Sequence, residues 1–418
     1  NTALGSSAGH TLTTGQYNTY IGRRAGYANS TGSSNTAVGR SSMEDATSAA
    51  EQNSCLGFQA GFACQSDNNT FLGYSAGSTV TTGGNAIAIG AQAMDSTTSG
   101  EANIAIGVAA FSSANGSYNI ALGVSALNNC TGSHNIAIGR NTGAAVTSGA
   151  HNVFMGDYAG DTLTTASRNI AIGYEAFTAA TTAEDCTIIG YQAGDAITTG
   201  SQNTALGHIA LTTATTAVNN TAIGREALRF TTGDGNTALG RAAGEDVSSG
   251  GNNICIGANS GRAGSPSGAI GGSSNTICLG NNSITNFFCA DTSISSSDSR
   301  DKTDVTNFTI GLNWIKALRP VTYRWDRRTW YGTGVEGAAD EIYGTPDGSK
   351  KSSRLHIGFL AQEMLAVEQA NGYGNSEDDS LITINNCDEM SYGIKYERLV
   401  PVLVNAIKEL STKNDALE

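Results

Sequence analysis

A serine and a lysine stand five positions apart at Ser297 and Lys302, and their side chains offer a nucleophile and a base. A serine hydroxyl is too weakly acidic to attack an amide unaided, so it needs an adjacent base. Lysine serves as that base only when neutral, which requires burial to lower its pKa far below about 10.4. A spacing of five suits neither one helix face nor one strand face. We therefore expect a turn here, or a lysine that serves a neighbouring chain.

The composition of the chain changes at this point. Residues 1–296 hold 9 arginines, no lysine and 17 acidic residues, whereas residues 297–418 hold 14 basic and 19 acidic residues. All three tryptophans, Trp314, Trp325 and Trp330, follow the change. These shifts predict a domain boundary near position 297. The acidic balance of both parts argues against nucleic acid as a partner.

A short motif, Asn-x-Ala-Ile/Leu-Gly, repeats through the first part of the chain. Its glycine recurs at intervals of 16, 17 or 18 residues, and an irregular last copy ends at Gly280. Such a short and even period predicts a solenoid in which each repeat forms one rung. The regular motif glycines are Gly5, Gly22, Gly39, Gly57, Gly73, Gly90, Gly107, Gly123, Gly139, Gly156, Gly173, Gly190, Gly207, Gly224, Gly240 and Gly257.

The residues before the motif glycine alternate in polarity, which is the period-2 pattern of a short strand. An asparagine stands four before the glycine in 14 of 16 copies. Stacked rungs would align these amides in a ladder, but asparagine is also a common turn residue, and the pattern leaves both interpretations open. Alanine stands three after the glycine in 13 of 16 copies, which predicts a close approach of neighbouring backbones.

In each rung, two positions that follow the motif glycine compensate for each other in side-chain volume. Where the fourth residue after the motif glycine is another glycine, the seventh is usually apolar, as in Val80, Leu163 and Ile197. Where the fourth is bulky, as in Phe111 and Leu228, the seventh is only alanine, threonine or cysteine. One pocket is therefore filled from either of two positions. Close packing demands such an exchange, and loops would not show it.

The repeats predict a mainly β protein, with a parallel β-solenoid (β-roll or β-helix) over residues 1–280 and a linker over residues 281–296. The array resembles the trimeric β-rolls of bacterial adhesin heads, whose repeats share an Asn-x-Ala-Ile-Gly element. Thin, alanine-rich rungs bury little apolar area, so we expect lateral association into an oligomer.

The array shows no catalytic pattern. Its four histidines, His10, His134, His151 and His208, are interpreted as occupying different rung positions, which argues against a metal array. The eight cysteines of the chain form no CxxC pairs and are interpreted as small buried residues. Paired threonines near the rung ends are interpreted as turn residues rather than as an ice-binding surface. We expect no cofactor and no metal.

After the boundary, several motifs follow in order. The first is Ser-Asp-x-Arg-x-Lys at residues 297–302, and the next is Ile310-Gly-Leu-Asn-Trp. The others are Arg319-Pro-Val-Thr-Tyr-Arg-Trp, His356-Ile-Gly-Phe-Leu-Ala-Gln-Glu and Tyr396-Glu-Arg-Leu-Val-Pro-Val-Leu-Val. Together they resemble the C-terminal intramolecular chaperone domain of phage tail spikes and fibres, the peptidase S74 family. The resemblance covers residues 297–418.

This resemblance implies a small α+β domain that trimerises a fibre and then cuts itself off immediately before the motif serine. It carries the nucleophile to Ser297 and its partner to Lys302, with the scissile bond between Ser296 and Ser297. Asp298 and Arg300 match the motif and would fix the turn. The implied enzyme is an autocatalytic serine endopeptidase that acts once on its own chain, through an acyl shift followed by hydrolysis.

The end of the chain carries a heptad pattern. Residues 399–418 predict an amphipathic helix suited to a short coiled coil, and the alternative is a helix packed on its own domain. The a and d positions hold Val400, Leu403, Ile407, Leu410, Asn414 and Leu417.

These features predict a homotrimeric viral tail fibre or spike, part of a longer protein, that is assembled in the host cytoplasm and acts outside the cell on the virion tail. Its partners would be its own copies and a host receptor or glycan. No apolar run reaches the ~20 residues of a membrane span, so membrane insertion is not expected.

Two alternatives remain open. One is an extracellular trimeric adhesin or filament with a retained chaperone cap. The other is a tail-spike glycan depolymerase, which the lack of an evident carboxylate pair in an aromatic cleft disfavours.

Overall fold

The computed structural model describes residues 1–46, 49–284, 303–328, 331, 344–376, 380–385 and 392–417. The chain divides into two compact units. The first comprises Asn1–Arg262 and Ile270–Gly280, and the second comprises Ala263–Ala269 and Asn281–Glu418. Each unit has its own hydrophobic core.

The first unit is a stack of rungs, each with one strand of three residues. Every strand pairs with the next in parallel and at the same rung position, as in Ile106 against Leu122. The result is one parallel sheet of seventeen described strands, which confirms the predicted parallel β-solenoid. The strands are β1 (Thr2–Leu4), β2 (Thr19–Ile21), β3 (Thr36–Val38), β4 (Ser54–Leu56), β5 (Thr70–Leu72), β6 (Ile87–Ile89), β7 (Ile104–Ile106), β8 (Ile120–Leu122), β9 (Ile136–Ile138), β10 (Val153–Met155), β11 (Ile170–Ile172), β12 (Thr187–Ile189), β13 (Thr204–Leu206), β14 (Thr221–Ile223), β15 (Thr237–Leu239), β16 (Ile254–Ile256) and β17 (Ile277–Leu279).

The alternation along each strand decides which side chains enter the core. In β2 to β17 the central residue is buried, as Ala105 and Phe154 illustrate, and the two flanking residues are partly or fully exposed. Successive side chains of a strand point to opposite faces of the sheet. A strand of three residues therefore buries one side chain per rung, and the core stays thin.

The chain leaves each strand through a turn with left-handed backbone. The motif glycine Gly107 has φ of +138°, and the residues two and four after it, Ala109 and Phe111, have φ of +54° and +51°. The N–H of Ala110 donates to the carbonyl of Gly107 at 3.4 Å, and equivalent bonds recur in other rungs. Left-handed backbone costs a non-glycine residue roughly 1–2 kcal/mol, so packing must offset this strain.

The motif glycine is required because successive rungs touch there through their backbones. A Cβ added to Gly123 would lie 2.2 Å from the carbonyl oxygen of Gly139 in the next rung. The same approach repeats along the stack, for example between Gly73 and Gly90 at 2.5 Å. A side chain in this column would overlap the neighbouring backbone, which explains the recurrence of glycine in the motif.

The asparagines form a ladder, which decides between the two interpretations of this position. The Oδ1 of Asn135 accepts the backbone N–H and the side-chain Nδ2–H of Asn152, both at 3.0 Å. The Nδ2 of Asn152 also donates to the carbonyl of Ala166 at 3.0 Å. Both asparagines are fully buried, so these bonds replace those to the water that the core excludes. The ladder is interrupted where Ala86 and Cys186 stand in place of asparagine.

The volume exchange along the rung involves a third position, the strand centre. Phe154 lies at the centre of β10, and Cβ atoms added to Gly143 and Gly160 would lie 2.9 and 2.8 Å from its ring. Both glycines stand four after a motif glycine, one in the rung of Phe154 and one in the rung before it. Phe71 is related to two glycines in the same way. An aromatic strand centre therefore requires glycine at this position in two successive rungs.

The cysteines and histidines of the solenoid test two further interpretations. The six cysteines that the structure describes are free and buried, which confirms their role as core residues, while Cys289 and Cys387 lie outside the described residues. The interpretation of the histidines is wrong for His134 and His151. Both stand five before a motif glycine, and their rings stack with centroids 5.0 Å apart.

The second unit contains short helices and strands around a small core. Trp314, Met364, Leu399 and Val402 form the buried centre of that core. This is the predicted α+β region that ends in a helix. Its elements are α1 (Leu312–Ala317), β18 (Val321–Tyr323), β19 (His356–Gly358), α2 (Ala361–Ala370), β20 (Thr383–Asn385), β21 (Tyr392–Ile394), a 3-10 helix (Tyr396–Arg398) and α3 (Leu399–Asp415).

Candidate functional site

The residues predicted to carry the cleavage chemistry lie outside the described residues. They are Ser296, Ser297, Asp298, Arg300 and Lys302, and their roles stay predictions. The description continues from Thr303. The structure therefore shows how the later motifs of the predicted chaperone domain come together, and which of them hold the chain that follows the predicted cleavage motif.

Two of these motifs meet as a pair of antiparallel strands. β18 lies in the Arg319–Trp325 motif, β19 leads into the Gly-Phe-Leu-Ala-Gln motif, and Val321 pairs with Gly358. Arg319 precedes β18 and forms an ion pair with Glu363 in the first turn of α2. Hydrogen bonds from the Arg319 guanidinium lower the pKa of Glu363. The pair is solvent-exposed, so it orients the two motifs and adds little to stability.

Aromatic rings cover this strand pair. Tyr323 stacks on His356 with ring centroids 5.5 Å apart, and Trp325 approaches both rings edge-on. The hydroxyl of Tyr396, from the last motif, accepts the N–H of Phe359 at 3.2 Å. Partial burial raises the pKa of Tyr323. These contacts give His356 a structural role at the strand pair.

A buried carboxylate, which sequence analysis did not single out, holds the β20–β21 hairpin. Glu368 of α2 is fully buried, and its Oε1 accepts the backbone N–H groups of Ile382 and Thr383 at 2.5 and 3.0 Å. Its Oε2 accepts the hydroxyls of Thr383 and Ser380 at 2.8 and 3.2 Å. These bonds to a charged group offset the cost of its burial. In the sequence, the burial of Glu368 is indicated only by its spacing of four residues from the apolar Met364, which places both on the same helix face.

The segment that follows the predicted cleavage motif is tied to the last helix. The side-chain amide of Asn405 in α3 donates to the carbonyls of Phe308 and Ile310 at 2.7 and 3.3 Å. Glu409, one turn later, accepts the backbone N–H of Leu312 at 3.3 Å, at the start of α1. The chain from 308 to 312 is therefore anchored to α3. Neither residue stands out in the sequence, because both partners lie almost a hundred positions away.

α3 has two different apolar faces. Leu399, Val402 and Ala406 are buried on the side that packs against the core of the same unit. The apolar residues of the predicted heptad lie on another face and are 43% to 87% exposed. The helix thus packs on its own unit and still leaves the heptad face uncovered in a single chain. The exposed heptad residues are Val400, Leu403, Ile407, Leu410 and Leu417.

The described residues contain neither a metal cluster nor a membrane-spanning helix. No group of three or more His, Cys, Asp or Glu side chains is placed to hold a metal ion in this part of the chain. None of its helices is long and apolar enough to cross a membrane.

Residues 297–373 match the family Peptidase_S74, Chaperone of endosialidase. The matched region contains the Ser297–Lys302 motif, the β18–β19 strand pair and α2, and it follows the seventeen rungs of the solenoid. The chain therefore carries a chaperone-of-endosialidase domain after a long β-solenoid shaft, and this order fits a tail fibre with a C-terminal chaperone. The resemblance drawn from the sequence motifs is confirmed over residues 297–373.

No curated protein and no solved structure matches the chain. The class of protein is therefore defined by the domain and the shaft together. Their combination suggests a trimeric fibre or spike protein.

Proposed function

We propose that this chain is the shaft and C-terminal chaperone of a phage-type tail fibre or spike, which sits on the virion tail and attaches it to a host receptor or glycan. The shaft is assigned to residues 1–280, the linker to 281–296 and the chaperone to 297–418. Three copies assemble through a coiled-coil seam on α3. This seam holds the C-terminal ends of three shafts together while their rungs align.

The observation that carries this proposal is the uncovered heptad face of α3. Ile407 and Leu410 are 66% and 57% exposed in the single chain. A three-stranded seam would bury them, and full burial of such a side chain contributes about 1.5–3 kcal/mol. Leu399 and Val402 hold a neighbouring face of the helix on its own unit, and the heptad face stays exposed beside it.

The repetition of the shaft supports the need for a clamp. Neighbouring rungs present the same hydrogen-bonding positions every 16 to 18 residues, so several alignments between chains have similar energies. Pairing over long sequence distances is also slow. A clamp at one end selects a common register before the remaining rungs pair.

Cleavage between Ser296 and Ser297 is part of the proposal. The Ser297 hydroxyl attacks the Ser296 carbonyl carbon, and a new ester bond to Oγ replaces the amide bond to nitrogen. Lys302 accepts the hydroxyl proton and returns it to the amine that leaves. Water then hydrolyses the ester, which restores the hydroxyl and leaves a carboxylate on Ser296. The anchoring of residues 308–312 by Asn405 and Glu409 supports a link between assembly on α3 and the placement of the lysine.

Intact mass after expression tests the cleavage. Wild type is expected to give fragments of 296 and 122 residues, and Ser297→Ala only the uncut chain. Ser299→Ala, two positions away in the same motif, is the matched control and should be cut. Uncut wild type would contradict self-cleavage and would leave the domain as a retained cap.

Analytical ultracentrifugation tests the seam independently of cleavage, in the Ser297→Ala background. That chain is expected to sediment as a trimer, and an added Ile407→Asp substitution should shift most of it to monomer. Lys408→Asp, an exposed neighbour on the same helix, should leave the trimer intact. A trimer that survives Ile407→Asp unchanged would contradict the seam.

A further inference from the structure

The outer face of the shaft sheet carries an uncovered apolar column, which we call the outer stripe. The residue directly before the glycine at the end of each strand is Leu, Ile, Val or Met in all seventeen described strands, and none of these side chains is buried. Leu56, Ile106 and Leu206 are 49%, 40% and 46% exposed. Because each strand pairs in register with the next, these side chains form one continuous column.

Charged residues are excluded from this face. The first and third residues of the seventeen described strands point outward, and none of these 34 residues is Asp, Glu, Lys or Arg. Residues 1–280 nevertheless hold 25 charged residues, which all lie between the strands. An exposed face that is uncharged and carries a continuous apolar column over such a length is typical of a surface that binds a partner.

The topology adds a second argument, because parallel sheets are normally covered on both faces. The inner face is covered by the turns of the same rungs, through residues such as Ala110 and Phe111. The outer face stays exposed in the described chain. We propose that two further copies of this chain cover the outer stripe, so that three shafts run parallel and in register with their stripes facing a shared axis. This inference rests on the proposed trimeric fibre and assigns the interface of its shaft.

The spacing of the outer stripe and the size of its surface indicate that the partner covering it is another copy of the chain. A partner must offer an apolar ridge with one side chain per rung over seventeen rungs, and another shaft has this ridge by symmetry. The 34 outward residues exceed the ~20–30 residues per side of a standard interface. The parallel direction follows from α3, which brings the C-terminal ends of the three copies together.

The middle rungs widen the apolar area. In β6 to β11 the first strand residue is also Ile or Val, as in Ile104 and Val153. In β1 to β5 the same position holds Thr or Ser, as in Thr70. We therefore expect the tightest contact between shafts along β6 to β11.

Cysteine cross-linking in the full chain tests this assignment. Ile106→Cys places a thiol on the outer stripe, and Ser113→Cys places one on an exposed turn of the same rung. In a trimer, one disulfide joins two of the three thiols at the axis, so mild oxidation should link about two-thirds of the Ile106→Cys chains as dimers. Ser113→Cys and wild type should stay at the uncrosslinked level. Far-UV circular dichroism confirms that both variants keep the β-solenoid.

Native mass spectrometry of the same samples separates the two proposals. Trimers that cross-link at position 106 and not at position 113 support the outer stripe as the interface. Trimers without a link at position 106, or with equal links at both positions, overturn this inference and leave the trimeric fibre standing. Monomers overturn both the inference and the proposed function.

Discussion

The two units of this protein use hydrogen bonds in opposite ways. In the shaft one bond pattern repeats from rung to rung, as when Asn135 accepts two hydrogen bonds from Asn152, 17 positions later. In the second unit each bond is used once and joins distant residues, such as Arg319 with Glu363 across 44 positions and Asn405 with Phe308 across 97. The shaft is built from local, interchangeable contacts, and the second unit from distant, unique contacts.

This difference indicates how the work of folding is divided. Repeated nearest-neighbour contacts allow a solenoid to form from any point, and they do not by themselves select one alignment between chains. Unique long-range contacts form only when the end of the chain is available, and they select one arrangement. A unit of the second kind is suited to set the register for a unit of the first kind, which is the role proposed here.

The largest expected effect is the loss of the backbone contact between rungs. Gly123→Ala would place a Cβ 2.2 Å from the carbonyl oxygen of Gly139, at a φ of +140°. Clash and strain together should lower the free energy of unfolding of the shaft by about 3 kcal/mol or more. Denaturant unfolding followed by far-UV circular dichroism measures this loss.

Gly235→Ala is the matched control for that variant. It also has a positive φ, of +69°, but its Cβ would meet no described atom closer than 3.9 Å. It should cost about 1–2 kcal/mol, from backbone strain alone. Equal losses in the two variants would show that strain, rather than contact between rungs, explains the motif glycine.

The second largest effect tests the unique contacts of the second unit. Glu368→Ala leaves the N–H groups of Ile382 and Thr383 buried without an acceptor, which should cost about 3 kcal/mol. All tryptophans lie after position 297 and Trp314 is buried, so tryptophan fluorescence reports unfolding of this unit. Glu363→Ala, which removes an exposed ion pair, should change the transition little. A transition unchanged in Glu368→Ala would contradict the role of the buried carboxylate.

A smaller loss of shaft stability is expected when the asparagine ladder is broken. Asn152→Ala removes the side-chain bonds to Asn135 and Ala166 and the acceptor of Asn169, which should cost the shaft about 2 kcal/mol. Cys186→Asn, which completes the ladder at one of its gaps, should keep or raise the unfolding midpoint. If Asn152→Ala unfolds like wild type, the asparagine acts only as a turn residue.

The smallest effect concerns pH. Partial burial, together with the nearby Glu175, raises the pKa of Asp161, and burial raises the pKa of Asp95 and Asp195 at the same rung position. The folded state therefore binds these protons more tightly than the unfolded chain. Their contribution to stability is fully present below the ordinary aspartate pKa of about 4, and it is lost as pH rises through the raised values.

Asp161→Asn removes one of these ionisations. It should raise the free energy of unfolding at pH 7 by a few tenths of a kcal/mol, because solvent screens a half-exposed carboxylate. It should also flatten the dependence of the unfolding midpoint on pH between about 4 and 7. A steeper dependence in the variant would reverse the sign of this argument.

Much of the shaft was predictable from the sequence because its contacts are local and repeated. The period alone locates each strand, since every motif glycine directly follows a strand residue, as Gly107 follows Ile106. The stacking of His134 and His151 was equally predictable, because both stand five before a motif glycine, and the interpretation that separated them was wrong. The motifs of the second unit predicted the family match of residues 297–373 for a different reason, because they are short runs of residues that keep their order along the chain.

Other features depend on tertiary packing and could not be predicted from the sequence. Sequence spacing does not show that the ring of Phe154 requires glycine at positions 143 and 160, because the partners belong to two stacked rungs. It does not distinguish a buried Glu368 from a solvated glutamate, because the groups that satisfy its charge come from another element. A periodic pattern determines which residues share a face, whereas the tertiary structure determines what each face meets. Burial and hydrogen bonding depend on that second step, because distant segments must meet before either can be assigned.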